Sequence, residues 1–463
     1  MVISSEALAS RRLFLKAAAA ASVALPALGQ SRPPNVVFIF ADDLGYGDVG
    51  CYGSGIPTPN IDRMAEEGIR LNQFCTASPV CSPSRAALLT GRYPVRTGVV
   101  SVVNADDPGG LPDSEVTIAS MLRGNGYATA CIGKWHLGSA PGFLPTDRGF
   151  DQYFGIPYSN DMWPRPLMVN TEIVEQPAQL ETITRRYTEQ AISFIQRNRE
   201  RPFFLYLPHT FPHIPLAASP QFTGQSGQGD YGDAVMEIDW SCGQILSALK
   251  QYGLDDNTLV VFTSDNGPWY QGSAGKLRGR KGSVHEGGFR VPFVARMPGA
   301  IAPRQVSNTF VSTLDILPTV ARLTGTPTPA TTLDGIDVWP LFTGHELQRQ
   351  EVFLYFNDIQ LQAARQGDWK LHVARFNVPM FTPTPAEGRI NLPLRQPELY
   401  NVVKDLDESY DRAKRNPAVV ADIQAGILRL LRTMPDRVRL AYEATMGTTV
   451  DATPAGALPE PRP

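Results

Sequence analysis

The sequence predicts an α/β fold: a large, mostly parallel central sheet flanked by helices, followed by a smaller C-terminal antiparallel sheet with a packed helix. Three observations carry this prediction. Short β-rich runs each end in a cluster of polar, potentially reactive groups; stretches with helical apolar spacing separate them; and from about Glu351 the texture changes to short strands in close succession. A chain of 463 residues has room for one large α/β domain with an appendage.

Taken in order, the chain opens with Ser10-Arg11-Arg12-Leu13-Phe14-Leu15-Lys16 ahead of an alanine-rich run at 17–28. A spanning helix needs ~20 apolar residues. This shorter run, with small residues before Gln30, reads as a cleavable export signal at 1–30. It is similar to twin-arginine signals, a resemblance that implies a bacterial export machinery handling folded protein. The mature chain is then expected to start near Ser31 and, lacking another run of spanning length, to be periplasmic or secreted with no stable membrane anchor.

Residues 36–40 form the first β-run and lead into Asp42 and Asp43. The pattern recurs at 127–132 before Lys134 and His136, at 203–207 before His209 and His213, and at 259–263 before Asp265 and Asn266. Between such runs, Ile238, Cys242, Ile245 and Leu249 share one helix face. Strands alternating with helices argue for a parallel sheet. In open parallel sheets ligands bind beyond the carboxyl ends of the strands, so the four clusters are expected to converge on one crevice. That places a catalytic domain at 31–350. Strands at 351–356, 369–373 and 398–402 and a helix at 416–432 make a small-sheet subdomain at 351–447, and the Pro-, Ala- and Thr-rich 448–463 reads as a tail.

Composition excludes several classes. Lys+Arg 42 against Asp+Glu 45 leaves a net charge of -3, with no basic field for nucleic acid. Gly 40 and Pro 40 are spread without a fixed period, which rules out solenoid and collagen-like chains. Cys51, Cys75, Cys81, Cys131 and Cys242 form no C-x-x-C pair and are odd in number, so neither a zinc knuckle nor a dense disulfide framework is expected. Four of them read as buried structural thiols. Cys81 differs.

Asp42-Asp43 and Asp265-Asn266 offer hard oxygen ligands that suit Ca²⁺ or Mg²⁺ rather than zinc. Adjacent carboxylates facing a crevice repel unless compensated, and a cation compensates them; the competing role for Asp43 is a helix N-cap. The run C-S-P-S-R-A-A-L-L-T-G-R at 81–92 opens as a loop and continues as a helix, with Pro83 in a permissible first-turn position. Cys81 thus sits at a helix N-terminus, where anionic groups are favoured, and Arg85 reaches the same place one turn on. A cysteine phosphatase needs five residues between Cys and Arg, and three intervene here.

C-S-P-S-R followed by A-A-L-L-T-G-R resembles the signature of the type I sulfatases, whose cysteine is oxidised to formylglycine. The resemblance extends to A-D-D-L-G-Y-G-D at 41–48, G-K-W-H-L-G at 133–138, P-H-I-P at 212–215, S-D-N-G at 264–267 and G-R-K-G-S-V-H-E-G-G-F-R-V-P at 279–292, and spans nearly all of 34–445. Blocks at 142–161 are most similar to the arylsulfatase A and N-acetylgalactosamine-6-sulfatase branch. Asp405-Leu406 departs from the Asp-Pro that the family often has near its C-terminus.

The resemblance implies an alkaline phosphatase-like sandwich and the hydrolysis of a sulfate monoester, aryl or carbohydrate. It makes Asp42, Asp43, Asp265, Asn266 and the modified residue 81 calcium ligands. Arg85, Lys134, His136, His213 and Lys281 would surround the sulfate, and Ser159 would add a hydroxyl contact. His209 is open between substrate binding and a structural role. One hydroxyl of the aldehyde hydrate at 81 would attack sulfur while His213 or Lys281 protonates the leaving oxygen; His136 would deprotonate the other, so that sulfate is expelled. A formylglycine-generating enzyme is the implied partner. The rival readings are a phosphonate monoester or phosphodiester hydrolase on the same fold, and a catalytically silent glycan-binding protein in which Cys81 stays a thiol. Loops at 157–169 and 376–394 are expected to build the leaving-group pocket.

Overall fold

The computed structural model describes residues 32–450. The export signal and residues 451–463 of the expected tail lie outside the described residues.

The four β-runs become neighbours in one ten-stranded sheet. Across its centre the order is Thr258–Ser264, Asn35–Ala41, Phe203–Pro208, Ala128–Ile132, and all three pairings are parallel. Gln152–Gly155 adds a further parallel strand, and antiparallel strands extend both sides: Phe293–Arg296 next to Thr258–Ser264, and the hairpin Leu167–Val169 with Glu172–Glu175 beyond Gln152–Gly155. Because the central strands run the same way, their carboxyl ends share one edge. Asp42, Lys134, His209 and Asp265 each follow one of those ends.

Every position of Asn35–Ala41 is buried, as a strand covered on both faces requires. Val36, Phe38 and Phe40 join a core with Leu88, Leu89, Ile118 and Leu317 from the helices Cys81–Thr90, Ile118–Gly124 and Ile316–Thr324. Val37, Ile39 and Ala41 point the other way, into a core with Ile183 and Ile195 of Leu180–Arg197 and Ile238, Cys242, Ile245 and Leu249 of Gly229–Gln251. The alternation of side chains along a strand thus assigns each residue to one of two helical layers.

The small sheet is antiparallel in chain order: Phe353–Asn357, Gln360–Gln366, Trp369–Phe376, Asn391–Asn401. Pro417–Leu431 and a further helix, Asp436–Met446, accompany it. The sequence reading lacks the Gln360–Gln366 strand, because QLQAARQ contains no β-branched or aromatic residue; pairing on both sides holds it in place. It also starts the last strand seven residues late. Pro393 and Pro397 argue against a strand there, and the ladder accommodates them with a register shift at His372/Ala374. Cys75, Cys81, Cys131 and Cys242 are buried, whereas Cys51 is half-buried, and all five are free thiols.

Strand ends approach one another closely before Lys134. Gly133 has φ 138°, and a Cβ there would lie 1.8 Å from the Pro208 carbonyl oxygen. Gly133→Ala is expected to lower the unfolding free energy by about 3 kcal/mol, from overpacking together with a disfavoured backbone conformation. Urea denaturation of the variant measures this; wild-type stability would show that the strand ends yield more readily than their packing implies.

Candidate active site

Eleven of the twelve expected residues join one buried cluster at the carboxyl edge of the sheet, and His209 stands apart from it. Cys81 opens its helix after Val80, an extended N-cap residue, and its Sγ lies 3.6 Å from Asp42 Oδ1. Lys281 Nζ donates to Cys81 Sγ at 3.3 Å and to Asp43 at 2.8 Å. Lys134 Nζ donates to Asp42 Oδ2 and, at 3.1 Å, to Ser159 Oγ. Arg85 Nε and Nη2 donate to Asp265 Oδ2 at 3.1 and 2.8 Å and Nη1 to the Lys134 carbonyl at 2.9 Å, while Nη2 also lies 3.5 Å from Asp42 Oδ2. His213 Nε2 is 3.8 Å from Asp43 Oδ2.

Asp42, Asp43 and Asp265 are therefore matched one for one by Lys134, Lys281 and Arg85, all buried. The balance is uneven. Burial would raise Asp42, but Lys134, then Arg85, His213 and Lys281, hold it well below the ordinary carboxylate value. Burial, with Asp42 beside it, pushes Asp265 up to about 7 despite Arg85. Burial also pushes the Cys81 thiol upward, against the pull of Lys134 and Lys281, so the unmodified side chain is a neutral thiol at pH 7.

The donor set fits a hard divalent cation. Asn266 Nδ2 donates to Asp43 Oδ1 at 2.7 Å, while Asn266 Oδ1 is buried without a hydrogen-bond partner. A buried carbonyl oxygen left over on a residue bonded to Asp43 calls for a positive partner. Asp42, Cys81 and Asp265 offer ligand atoms within 4.8 Å of one another, as do Asp43, Cys81 and His213. Asp43 has φ 64° and is no N-cap; that backbone conformation costs on the order of 1 kcal/mol in an L-residue and is held by its amide donating to Asp265 Oδ1 at 3.1 Å.

Two histidines stand differently. His136, also at positive φ, is buried with neither ring nitrogen paired, and burial, then Lys134 and Arg85, push it well below the ordinary histidine value. It is a neutral ring among cations. His209 is wholly buried, has Tyr187 as its ring neighbour at 6.4 Å, and makes no hydrogen bond through either nitrogen.

The sequence reading quotes Glu286 within a motif but gives it no role. It is buried and receives Arg290 Nε at 2.8 Å, Lys370 Nζ at 3.0 Å and Tyr355 Oη at 2.9 Å. Its signal was present: Glu286 is the one acidic residue in the basic, glycine-rich run 279–292 and, once buried, needs cationic partners.

Buried carboxylates, lysines and histidines beyond the carboxyl ends of a parallel sheet define a hydrolase of anionic esters. The chain belongs to the sulfatase family: residues 34–326 match the sulfatase model, and residues 280–409 match the model of the C-terminal region of N-sulphoglucosamine sulphohydrolase. It is 41% identical over 403 residues to arylsulfatase A of Homo sapiens, covering 79% of this chain and 78% of that one. It is also 41% identical over 408 residues to N-acetylgalactosamine-6-sulfatase of Rattus norvegicus, covering 81% and 77%. The solved structure of the PsFucS1 sulfatase from Pseudoalteromonas sp. superposes with a TM-score of 0.79 at 29% identity, covering 91% of this chain and 93% of that one. The protein is a sulfuric ester hydrolase, as the C-S-P-S-R resemblance implies. Among the described residues no helix is long and apolar enough to cross a membrane.

His209 gives a pH test. Burial lowers it to about 3, so as pH falls from about 6.5 the unfolded chain takes the proton first. Stability is lost across the window from about 6.5 down to about 3, at about 1.4 kcal/mol per pH unit for this group. His209→Leu is expected to flatten the acid limb by that slope. Unfolding free energies at pH 7, 6 and 5 check this, and parallel curves for the two proteins would refute it.

Proposed function

We propose that residue 81, converted from cysteine to formylglycine, is the nucleophile of sulfate ester hydrolysis, and that Asp42, Asp43, Asp265 and Asn266 hold a calcium ion beside it. The observation that carries this reading is the unpaired, buried Oδ1 of Asn266, whose amide nitrogen is bonded to Asp43, beside two groups of potential ligands that share Cys81. The neutral thiol supports it from another side, since thiolate chemistry needs a lowered pKa and burial raises this one. The Cys81 Sγ position stands in for the oxygens of the modified residue.

A bound calcium ion would draw charge from the ester oxygens and relieve the repulsion among its carboxylates. The aldehyde hydrate supplies two hydroxyls, one to attack sulfur and one to release sulfate.

The chain's own residues do the rest. Arg85 fixes the Asp265 carboxylate and, through the Lys134 carbonyl, the entry of the Lys134 loop. Against burial, Asp43 foremost keeps Lys281 protonated, so Lys281 serves as fixed charge on the sulfate oxygens together with Lys134. Proton delivery to the leaving oxygen then falls to His213 in its protonated form, which burial and Lys281 make scarcer but a stronger acid; the ring takes that proton from solvent before each turnover and passes it to the leaving oxygen as the S–O bond breaks. His136, neutral and unpaired, takes the proton of the second hydroxyl; such help is worth ~10²- to 10⁴-fold. Ser159 holds Lys134 Nζ toward the cluster. The names of the relatives favour an aryl or carbohydrate sulfate as substrate.

Peptide mass spectrometry of active enzyme is expected to show formylglycine at position 81, and Cys81→Ser to lose nearly all turnover, since a serine adduct has no second hydroxyl. Repeated turnover by the serine variant at the wild-type rate would sink the mechanism.

Chelation is expected to abolish activity and lower thermal stability, with calcium restoring both. At calcium a hundredfold above its Kd the stabilisation is about 2.7 kcal/mol, and Asn266→Ala should shrink it. Exhaustively chelated enzyme with unchanged turnover and melting temperature would overturn the metal assignment.

A further inference from the structure

Lys281 reaches the thiol from a segment that belongs to neither helix nor strand. Residues 278–285 have no ladder to hold them. The loop closes on itself through Gly287 N donating to the Arg278 carbonyl at 2.7 Å and Ser283 N to the Arg280 carbonyl at 2.9 Å. The large domain adds three bonds near its tip: Lys281 N to the Pro268 carbonyl at 3.1 Å, Gly282 N to the Pro79 carbonyl at 2.9 Å and Arg280 Nη1 to the Trp269 carbonyl at 3.1 Å. With glycines at positive φ on both sides of Lys281, at 279 and 282, these bonds leave the backbone two places to turn.

The small sheet and the loop after it supply the remainder. Asn357 Nδ2 donates to the Gly282 carbonyl at 3.0 Å, and Lys370 Nζ to the Val284 carbonyl at 2.7 Å. Glu408 grips both ends: its Oε1 accepts from Glu286 N at 2.6 Å, and its main-chain carbonyl accepts from Arg278 Nη1 at 3.0 Å. Glu408 is itself wholly buried, at φ 47°, and is held by His372 Nε2 at 2.6 Å and Lys370 Nζ at 3.6 Å. His285, His372 and Glu408 could by their types bind a metal, but the Lys370 ammonium beside Glu408 and the hydrogen bonds already made favour a polar clasp.

We propose that Glu408 is a positioning residue: with Asn357, Lys370 and His372 it clasps the 278–286 loop so that Lys281 Nζ stays against Cys81 and Asp43. A buried ionic network is weak as a source of stability but costly to rearrange, so it selects one geometry. The active site is then shared between the two sheets, with the small one setting the position of a single ammonium. This rests on the role given to Lys281 above.

The test is a double-mutant cycle in the full-length enzyme, read as kcat/KM on an aryl sulfate. Glu408→Ala is expected to lower kcat/KM roughly ten- to a hundredfold, mainly through kcat, as displacement of a positioned group by about 1 Å does. In a Lys281→Ala background the same change should have little further effect, because both act through one ammonium. Equal factors in both backgrounds, or wild-type kcat/KM in Glu408→Ala, would overturn the proposal. Glu408→Gln, which keeps an acceptor for Glu286 N, should recover most of the loss; failure to recover would also count against it. If Glu408→Ala does not fold, Asn357→Ala removes one bond to the loop and carries the same cycle. Hydrogen exchange over 278–286 reads the clasp without turnover: faster exchange in the variant supports it, and unchanged protection overturns it. An inactive wild type, or a fully active Lys281→Ala, would instead defeat the functional reading, leaving the exchange result to decide the clasp.

Discussion

Burying Asp42, Asp43 and Asp265 together at one sheet edge is unfavourable unless each meets a positive partner, and the remainder of the site follows from that constraint. The partners come from separate parts of the chain: Arg85 from the helix after Cys81, Lys134 from the next strand end, Lys281 from a loop. Each ion pair therefore ties one segment to the carboxyl edge. What looks like electrostatic compensation is also the assembly of the proposed catalytic groups, because no cation can leave its carboxylate without exposing a buried charge.

The close approach needed for those pairs strains the backbone locally. Asp43 and His136 sit at positive φ, and Gly133 and Gly155 meet across the strand ends, where a Cβ on Gly155 would be 1.8 Å from the Gly133 carbonyl oxygen. The surrounding layers bear the cost. Two cores sandwich the sheet, and neither can shift without moving strands whose residues are buried on both faces.

The central architecture was legible because buried parallel strands read as short apolar runs and their reactive groups follow at the ends. Asp42, Lys134, His213 and Asp265 could be named from that pattern, and Cys81 from the helix that it opens. Direction was harder to read. The spacing of Cys81 and Arg85 puts both at one helix end, yet only the fold reveals that the guanidinium is taken up by Asp265 and the Lys134 carbonyl. The Gln360–Gln366 strand was invisible because tertiary pairing, not propensity, makes it. Glu408 was invisible for a related reason: it lies far along the chain from the loop it grips, in a short polar stretch with no periodicity.

With all three carboxylates ionised, their one-for-one pairing with cations leaves the cluster without net charge before any ligand enters. Under the proposed calcium occupancy it would become doubly positive, which suits a sulfate ester and, more strongly, the dianion that leaves as product. A site neutral without its metal has little reason to hold such an anion. By the same arithmetic, removing either lysine would leave both a bare carboxylate and a weaker field. Lys134 is anchored within the large sheet through Asp42 and Ser159, whereas Lys281 rides a loop between two glycines. Of the cations in the cluster around Cys81, it is the one whose placement most needs support from outside the large sheet.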